Sequence, residues 1–248
     1  MCLIGFHWRP DGPIPLLVAG NRDEFYDRPT APLAWWEGGR ILAGQDLWSG
    51  GTWMGVSRDG RFAAITNFRE PQRSRNGAPS RGFIPLRFLE VGGSAADFLC
   101  WLRKEATRYA PFNVLVYDGV ELLGYESRHD RSLPFAPGIH AISNGDFDEP
   151  WPKVETIKSG MAAGPDDDEA LLAQLGDARR YADDRLPSTG VPIAWERALS
   201  SALVRTPTFG TRASTILRLG RDTVSMLEQR FSQEGPEGQS EFQFRWRS

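Results

Sequence analysis

A cysteine stands directly behind Met1, and a compact polar cluster, Asn21-Arg22-Asp23-Glu24, returns one hairpin later. Initiator methionine is generally removed when the next residue is small. Its removal would leave Cys2 with a free α-amine of pKa about 7.7–8.0. Such an amine can take the proton from its own side chain, so nucleophile and base come from one residue. A nearby arginine, here Arg22, lowers the thiol pKa and favours the reactive thiolate. An aspartate beside the amine, here Asp23, would orient it as the third member of a triad orients its base. No histidine is needed. The competing reading makes Cys2 a small apolar residue at the start of a buried strand, and the acidic-basic cluster a solvated strand end with local ion pairs. Spatial placement decides between them.

The elements that must do the placing read as hairpins over the first two thirds of the chain. CLIGFHW and PLLVAG flank Arg9-Pro10-Asp11-Gly12-Pro13, a strong turn signal. GTWMGVS and RFAAITNF flank Asp59-Gly60, and FNVLVY and VELLGYES flank Asp118-Gly119, both suited to tight type I′ turns. TILRL and VSMLEQRF flank Gly220-Arg221-Asp222. Short turns join antiparallel strands. With Asp11-Gly12 as the tip, Cys2 falls opposite Asn21, give or take two residues, and Asp23 becomes its neighbour. The second hairpin brings Asn67 near Thr52. Gly50-Gly51-Thr52-Trp53 and Thr66-Asn67-Phe68-Arg69 then share one end. A glycine doublet there permits close backbone approach to a ligand or marks a bulge.

Helical stretches lie between the hairpins. GFIPLRFLEV and the segment from Ser94 form two helices parted by Gly92-Gly93, with Ser94 as N-cap. A second helical region covers Val154–Leu175, with Asp166, Asp167, Asp168 and Glu169 at a helix start rather than in a calcium loop. IAWERALSSALV reads as a third. Cys100 falls on an apolar helix stripe and is expected in the core. Gln233–Ser248 is a loose tail or a last edge strand. Trp35-Trp36, before Gly38-Gly39, packs on the surface or forms a loop over a cleft. The class is α+β, with helices packed on sheet faces.

Composition bounds the function. The 248 residues are 40% hydrophobic and 25% charged, with net charge −3, as in an ordinary globular chain. The arginines are scattered, so no basic face for nucleic acid emerges. The start carries no signal-peptide pattern, and no run approaches the roughly 18 apolar residues of a membrane span. Two cysteines give no stapled framework. These features predict a reduced, cytoplasmic protein without a membrane span. There is no phosphate loop. Nine tryptophans suit a core or an aromatic-lined cleft.

Cys2, Asn21-Arg22-Asp23-Glu24, Gly51-Thr52-Trp53-Met54-Gly55, Thr66-Asn67-Phe68-Arg69 and Ser143-Asn144-Gly145 together resemble the NRDE family, also called the Transport and Golgi organisation 2 family. Gly210-Thr211-Arg212-Ala213-Ser214-Thr215 resembles its late segment, with Ala213 where the family usually has Ser. The order and spacing run along the whole chain. That family is similar in turn to N-terminal nucleophile hydrolases of the choloylglycine hydrolase and penicillin acylase type. The resemblance implies one domain over 1–248, folded as a four-layer αββα sandwich of two antiparallel sheets. It implies Cys2 as nucleophile, Asp23 as the holder of the α-amine, and Arg22 as a looser match, since the hydrolases place Arg before Asn. Asn67 matches an asparagine of their L-N-F/Y-P segment, Asn144 their oxyanion-hole asparagine, and Arg212 a late active-site arginine. Asn21, Glu24, Thr52, Trp53, Phe68 and Arg69 are the candidate substrate contacts. The function implied is hydrolysis of an amide or thioester in a small acyl substrate, without a cofactor. The alternative is a carrier of haem or an acyl-CoA-like ligand, haem taking an axial ligand from His7, His140, Cys2 or Met54.

Overall fold

The structure, a computed structural model, describes residues 2–70, 77–164 and 167–247. Met1 and Asp166 lie outside the described residues. In chain order the strands are β1 (Cys2–Trp8), β2 (Leu16–Phe25), β3 (Thr30–Trp35), β4 (Ile41–Asp46), β5 (Met54–Ser57), β6 (Phe62–Asn67), β7 (Phe112–Tyr117), β8 (Leu122–Glu126), β9 (Arg131–Pro134), β10 (Gly138–Ile142), β11 (Phe209–Leu219), β12 (Thr223–Phe231) and β13 (Pro236–Arg245). The helices are α1 (Phe83–Val91), α2 (Ala95–Glu105), α3 (Pro152–Ala163), α4 (Asp168–Leu175) and α5 (Ile193–Ala198). One sheet runs β10-β1-β2-β11-β12-β13 and the other β3-β4-β5-β6-β7-β8-β9, with every pairing antiparallel.

Period-two alternation assigns the layers. In β1 and β2, Ile4, Phe6, Leu16 and Val18 turn inward and meet Met54, Val56, Phe62 and Leu115 of the opposite sheet. Leu3, Leu17 and Ala19 turn outward and pack on Val154, Ile157 and Met161 of α3 and Leu171 and Leu175 of α4. On the far side, Ala63, Ile65 and Val114 pack on Ile84 and Phe88 of α1 and Leu99 and Leu102 of α2. Strands buried on both faces read as continuous apolar runs, as LLVAG does. The result is the four-layer αββα sandwich. No helix among the described residues is long and apolar enough to cross a membrane.

Several local expectations shift. The β1–β2 connection centres on Gly12, because Trp8 pairs with Leu16, and Cys2 therefore faces Arg22 rather than Asn21. This lies within the two-residue window expected, but a one-residue slip moves a side chain to the other face, so the exact pairing matters for the site. Asp118-Gly119 forms a longer turn than type I′, closed by the Asp118 carboxylate accepting from the N–H groups of Val120 and Glu121 at 2.9 and 2.8 Å. Ser94 caps α2, accepting from the Asp97 N–H at 3.0 Å. The buried stripe of α2 is Ala95, Phe98, Leu99 and Leu102, and Cys100, one step round from Leu99, is exposed. The Val154–Leu175 region is two helices, the second capped by Asp167, which accepts from the N–H groups of Glu169 and Ala170. The helix begun by Ile193 stops at Ala198, well short of Val204. The C-terminal segment is the edge strand β13. Trp35 packs against Phe244, and Trp36 donates its indole N–H to the Ala43 carbonyl and lines a smaller cavity with Glu37, Arg40, Ile41 and Glu90.

Candidate functional site

A cavity of about 530 Å³ lies where β1 begins and β2 and β6 end. Cys2 is on its wall, 7% exposed, with Arg22, Asp23, Glu24, Thr52, Trp53, Asn67 and Arg212. Cys2 belongs to the inward face of β1, so its thiol lies on the same side as Arg22, its register partner. Asp23, the next residue, turns toward the helical layer, where its Oδ1 accepts from Thr211 Oγ1 at 2.7 Å. The thiol and the carboxylate thus flank the main chain at residue 2 from opposite faces. The hydrogen bond to the sulfur comes from the Asp23 backbone N–H, not from its carboxyl group.

Burial dominates the electrostatics. It pushes the Cys2 thiol above its ordinary value; Asp23 reinforces this and Arg22 opposes it. Burial also raises the Asp23 carboxyl, against the pull of Lys153 and Arg69. Lys153, at the start of α3 and 2% exposed, is pushed down to about 8 by burial, with Asp23 the foremost opposing charge. Its Nζ has no hydrogen-bond partner among the described residues. Behind it, Arg69 pairs with Glu196 at 2.6 Å and lies over the Trp151 ring at 4.8 Å.

The Ser143-Asn144-Gly145 turn ties the site together. Ser143 Oγ donates to the Cys2 carbonyl at 3.0 Å. Asn144 is fully buried and absent from the cavity wall; its Nδ2 donates to the Asn67 carbonyl at 2.8 Å. Asn67, whose carbonyl Asn144 holds, is among the lining residues instead. Arg212 sits at a bulge in β11, where its register with β2 shifts between Thr211 and Ala213. Its Nη1 donates to the carbonyls of Phe25, Tyr26 and Arg28, each at 3.1 Å, and its Nε to Phe231 at 3.2 Å. That guanidinium clamps the turn after β2.

Of the substrate-contact candidates, Glu24, Thr52 and Trp53 line the cavity, and Asn21, Phe68 and Arg69 do not. Asn21 is fully committed to structure: Nδ2 donates to the carbonyls of Leu175 and Ala202, both at 2.8 Å, and Oδ1 accepts from Ser214 at 2.6 Å. Gly51 serves protein packing, since a Cβ there would stand 2.5 Å from the Gly82 carbonyl carbon. Among haem-ligand candidates, His140 engages both ring nitrogens, with Asp148 at 2.7 Å and the Ala136 carbonyl at 2.9 Å, and Met54 is 1% exposed in the inter-sheet core. Among the described residues no three His, Cys, Asp or Glu side chains gather as they would around a metal ion.

Two charged neighbours of Cys2 carry no motif signal. Arg81 stands in the 77–82 loop on the cavity wall. Lys153 follows Trp151-Pro152, and proline at the first helical position is the signal that marks this helix start.

Residues 1–233 match the family described as Transport and Golgi organisation 2. The chain is 30% identical over 251 residues to the Transport and Golgi organization protein 2 homolog of Bos taurus, covering 90% of each. The Homo sapiens homolog is 29% identical over the same length, again covering 90% of each. Among solved structures, the Caenorhabditis elegans N-acylethanolamine-hydrolyzing acid amidase ortholog shares the fold, with a TM-score of 0.50 and 10% identity over 87% of this chain and 92% of that one. The chain belongs to the Transport and Golgi organisation 2 family.

Proposed function

We propose that the chain is a cysteine hydrolase that cleaves an amide or thioester bond of a small acyl substrate once Met1 is removed. One observation carries this reading: the Cys2 thiol opens on a cavity while the Asp23 carboxylate flanks the same main-chain position from the other face. An α-amine at residue 2 would stand between them. Burial holds the thiol protonated at rest, so an adjacent base is required, and the amine supplies it. The fold shared with an amidase is consistent with such chemistry.

In this reading the amine takes the thiol proton as Sγ attacks the carbonyl carbon. The carbonyl π electrons move to oxygen, giving a tetrahedral oxyanion. Asn67, which lines the cavity and whose main chain Asn144 holds through its carbonyl, would donate its side-chain amide to that oxygen. Such a donor supplies about 3–4 kcal/mol in the transition state. Collapse breaks the bond to the leaving group, which takes the proton from the ammonium, and leaves a thioester on Cys2. Water, deprotonated by the same amine, then releases the acid and restores the thiol. Asp23 orients the amine, and Arg22 favours the thiolate.

The test is a pre-steady-state burst with p-nitrophenyl acetate in a Cys100→Ser background, which removes the exposed thiol. One equivalent of p-nitrophenol, lost in Cys2→Ala, supports the acyl-enzyme. A burst that survives Cys2→Ala, or no burst at any pH from 6 to 9, refutes it.

A further inference from the structure

Arg81 is built into the cavity by contacts that leave most of its guanidinium unspent. Gly51 lets the main chain at Gly82 approach, and the Thr52 N–H donates to the Gly82 carbonyl at 3.1 Å. One residue earlier, Arg81 Nη1 donates to the Pro111 carbonyl at 3.0 Å. Arginine carries five donors in a rigid fork, and the Arg81 guanidinium makes no other hydrogen bond and no ion pair among the described residues.

The remaining charges of the wall are largely spoken for. Arg28 pairs with Asp46 at 2.7 Å, Arg212 holds four carbonyls, and Arg230 donates to Ser240 at 2.8 Å. Glu228 accepts from the Leu33 N–H at 2.8 Å. Arg22 is the exception. It is 8% exposed, lies 3.6 and 3.7 Å from Asp46 and Glu24, and its buried Nη1 has no hydrogen bond among the described residues. Unspent guanidinium donors in a partly desolvated cavity are complementary to a planar or tetrahedral oxyanion, which they bind through paired, charge-assisted hydrogen bonds.

We propose that the cavity beside Cys2 is an anion-recognising pocket in which Arg81, backed by Arg22, holds a carboxylate or phosphate group of the ligand. Identifying that ligand as the acyl substrate rests on the hydrolase reading; anion binding itself does not. The anionic group would share a cavity with the scissile bond, because Arg81 and Cys2 both line it.

Two measurements separate the claims. Calorimetric titration of the wild-type protein with acetate and with inorganic phosphate should show saturable binding. The tighter of the two names the group, and Arg81→Gln should weaken it by about tenfold or more, Arg81→Lys by less. In the Cys100→Ser background, alkylation of Cys2 by anionic iodoacetate is compared with that by neutral iodoacetamide. The ratio of the two rates should fall by a similar factor in Arg81→Gln. Binding of neither anion by the wild-type protein overturns the pocket, whether or not the variant folds. Equal affinities in wild type and a folded Arg81→Gln overturn the role of Arg81. Anion binding without any labelling of Cys2 upholds the pocket and counts against the hydrolase.

Discussion

Helix α3 carries two lysines, Lys153 and Lys158, whose surroundings differ in kind. Lys158 is part-exposed and donates to Asp148 Oδ1 at 3.0 Å. Asp148 also binds the His140 ring at 2.7 Å and accepts from the Ala141 N–H at 3.0 Å, while the other His140 nitrogen meets a carbonyl. Burial works to raise Asp148, yet hydrogen bonds from His140 and Lys158 hold it down to about 2. Lys153 is buried beside Asp23 and Arg69, and its amine has no hydrogen-bond partner among the described residues. The first cluster follows the rule that buried polar groups are paired. The second breaks it next to Cys2. Isolated buried charge is destabilising, and such violations concentrate where sites are tuned for chemistry. One helix thus fastens the sheet edge with one lysine and charges the candidate site with another.

The comparison is most sharply tested by removing a carboxylate from each cluster. Asp23→Asn should slow acylation of Cys2 by about a hundredfold or more, since the amine loses its orienting partner. Asp148→Asn should leave that rate unchanged. Equal slowing in both would erase the distinction.

Next in size is the effect of Lys153 on stability. Replacing a buried, unpartnered ammonium by Lys153→Met should stabilise the fold by about 1–4 kcal/mol at neutral pH. The sign with pH follows from its folded value of about 8, below the ordinary 10.5. Between those values the unfolded chain binds more protons, so stability should rise from pH 8 to 10.5 in wild type and lose this rise in Lys153→Met. Denaturant midpoints across that range measure both. The paired cluster behaves in the opposite sense at its histidine: His140 is raised above 6.5, chiefly by its hydrogen bond to Asp148. Its contribution is complete below 6.5 and is lost as pH rises through the folded value. The Asp148 contribution persists above 3.8 and is lost as pH falls toward about 2.

Gly51→Ala should cost about 1–3 kcal/mol, because a Cβ would strike the Gly82 main chain. It should weaken anion binding as well, by displacing Arg81. The smallest expected effect is the stability loss in Asp148→Asn, about 1 kcal/mol, for a part-exposed network.

Much of this arrangement is legible in the sequence, for identifiable reasons. Asp-Gly turns and apolar runs announce the hairpins, and Ser94 announces its helix, because these signals are local. The nearness of Cys2 to the Asn21–Glu24 cluster follows from one turn. Its exact face does not: a shift of one residue, set by the Arg9–Pro15 connection, reverses which side chains share a surface. Cys100 misleads because its apolar neighbours hide a quarter-turn of rotation. Arg81 and Lys153 reach the site from a loop and a helix far along the chain, by contacts with no local signature. Arg212 has the right motif, but the bulge in β11 commits its guanidinium to carbonyls.

The nucleophile itself is tested most directly by intact-mass spectrometry of the purified Cys100→Ser protein, before and after iodoacetamide. A mass lacking Met1, followed by one adduct mapped to Cys2, is the expected result. A retained methionine with an unlabelled Cys2 would contradict the assignment of Cys2 as an N-terminal nucleophile.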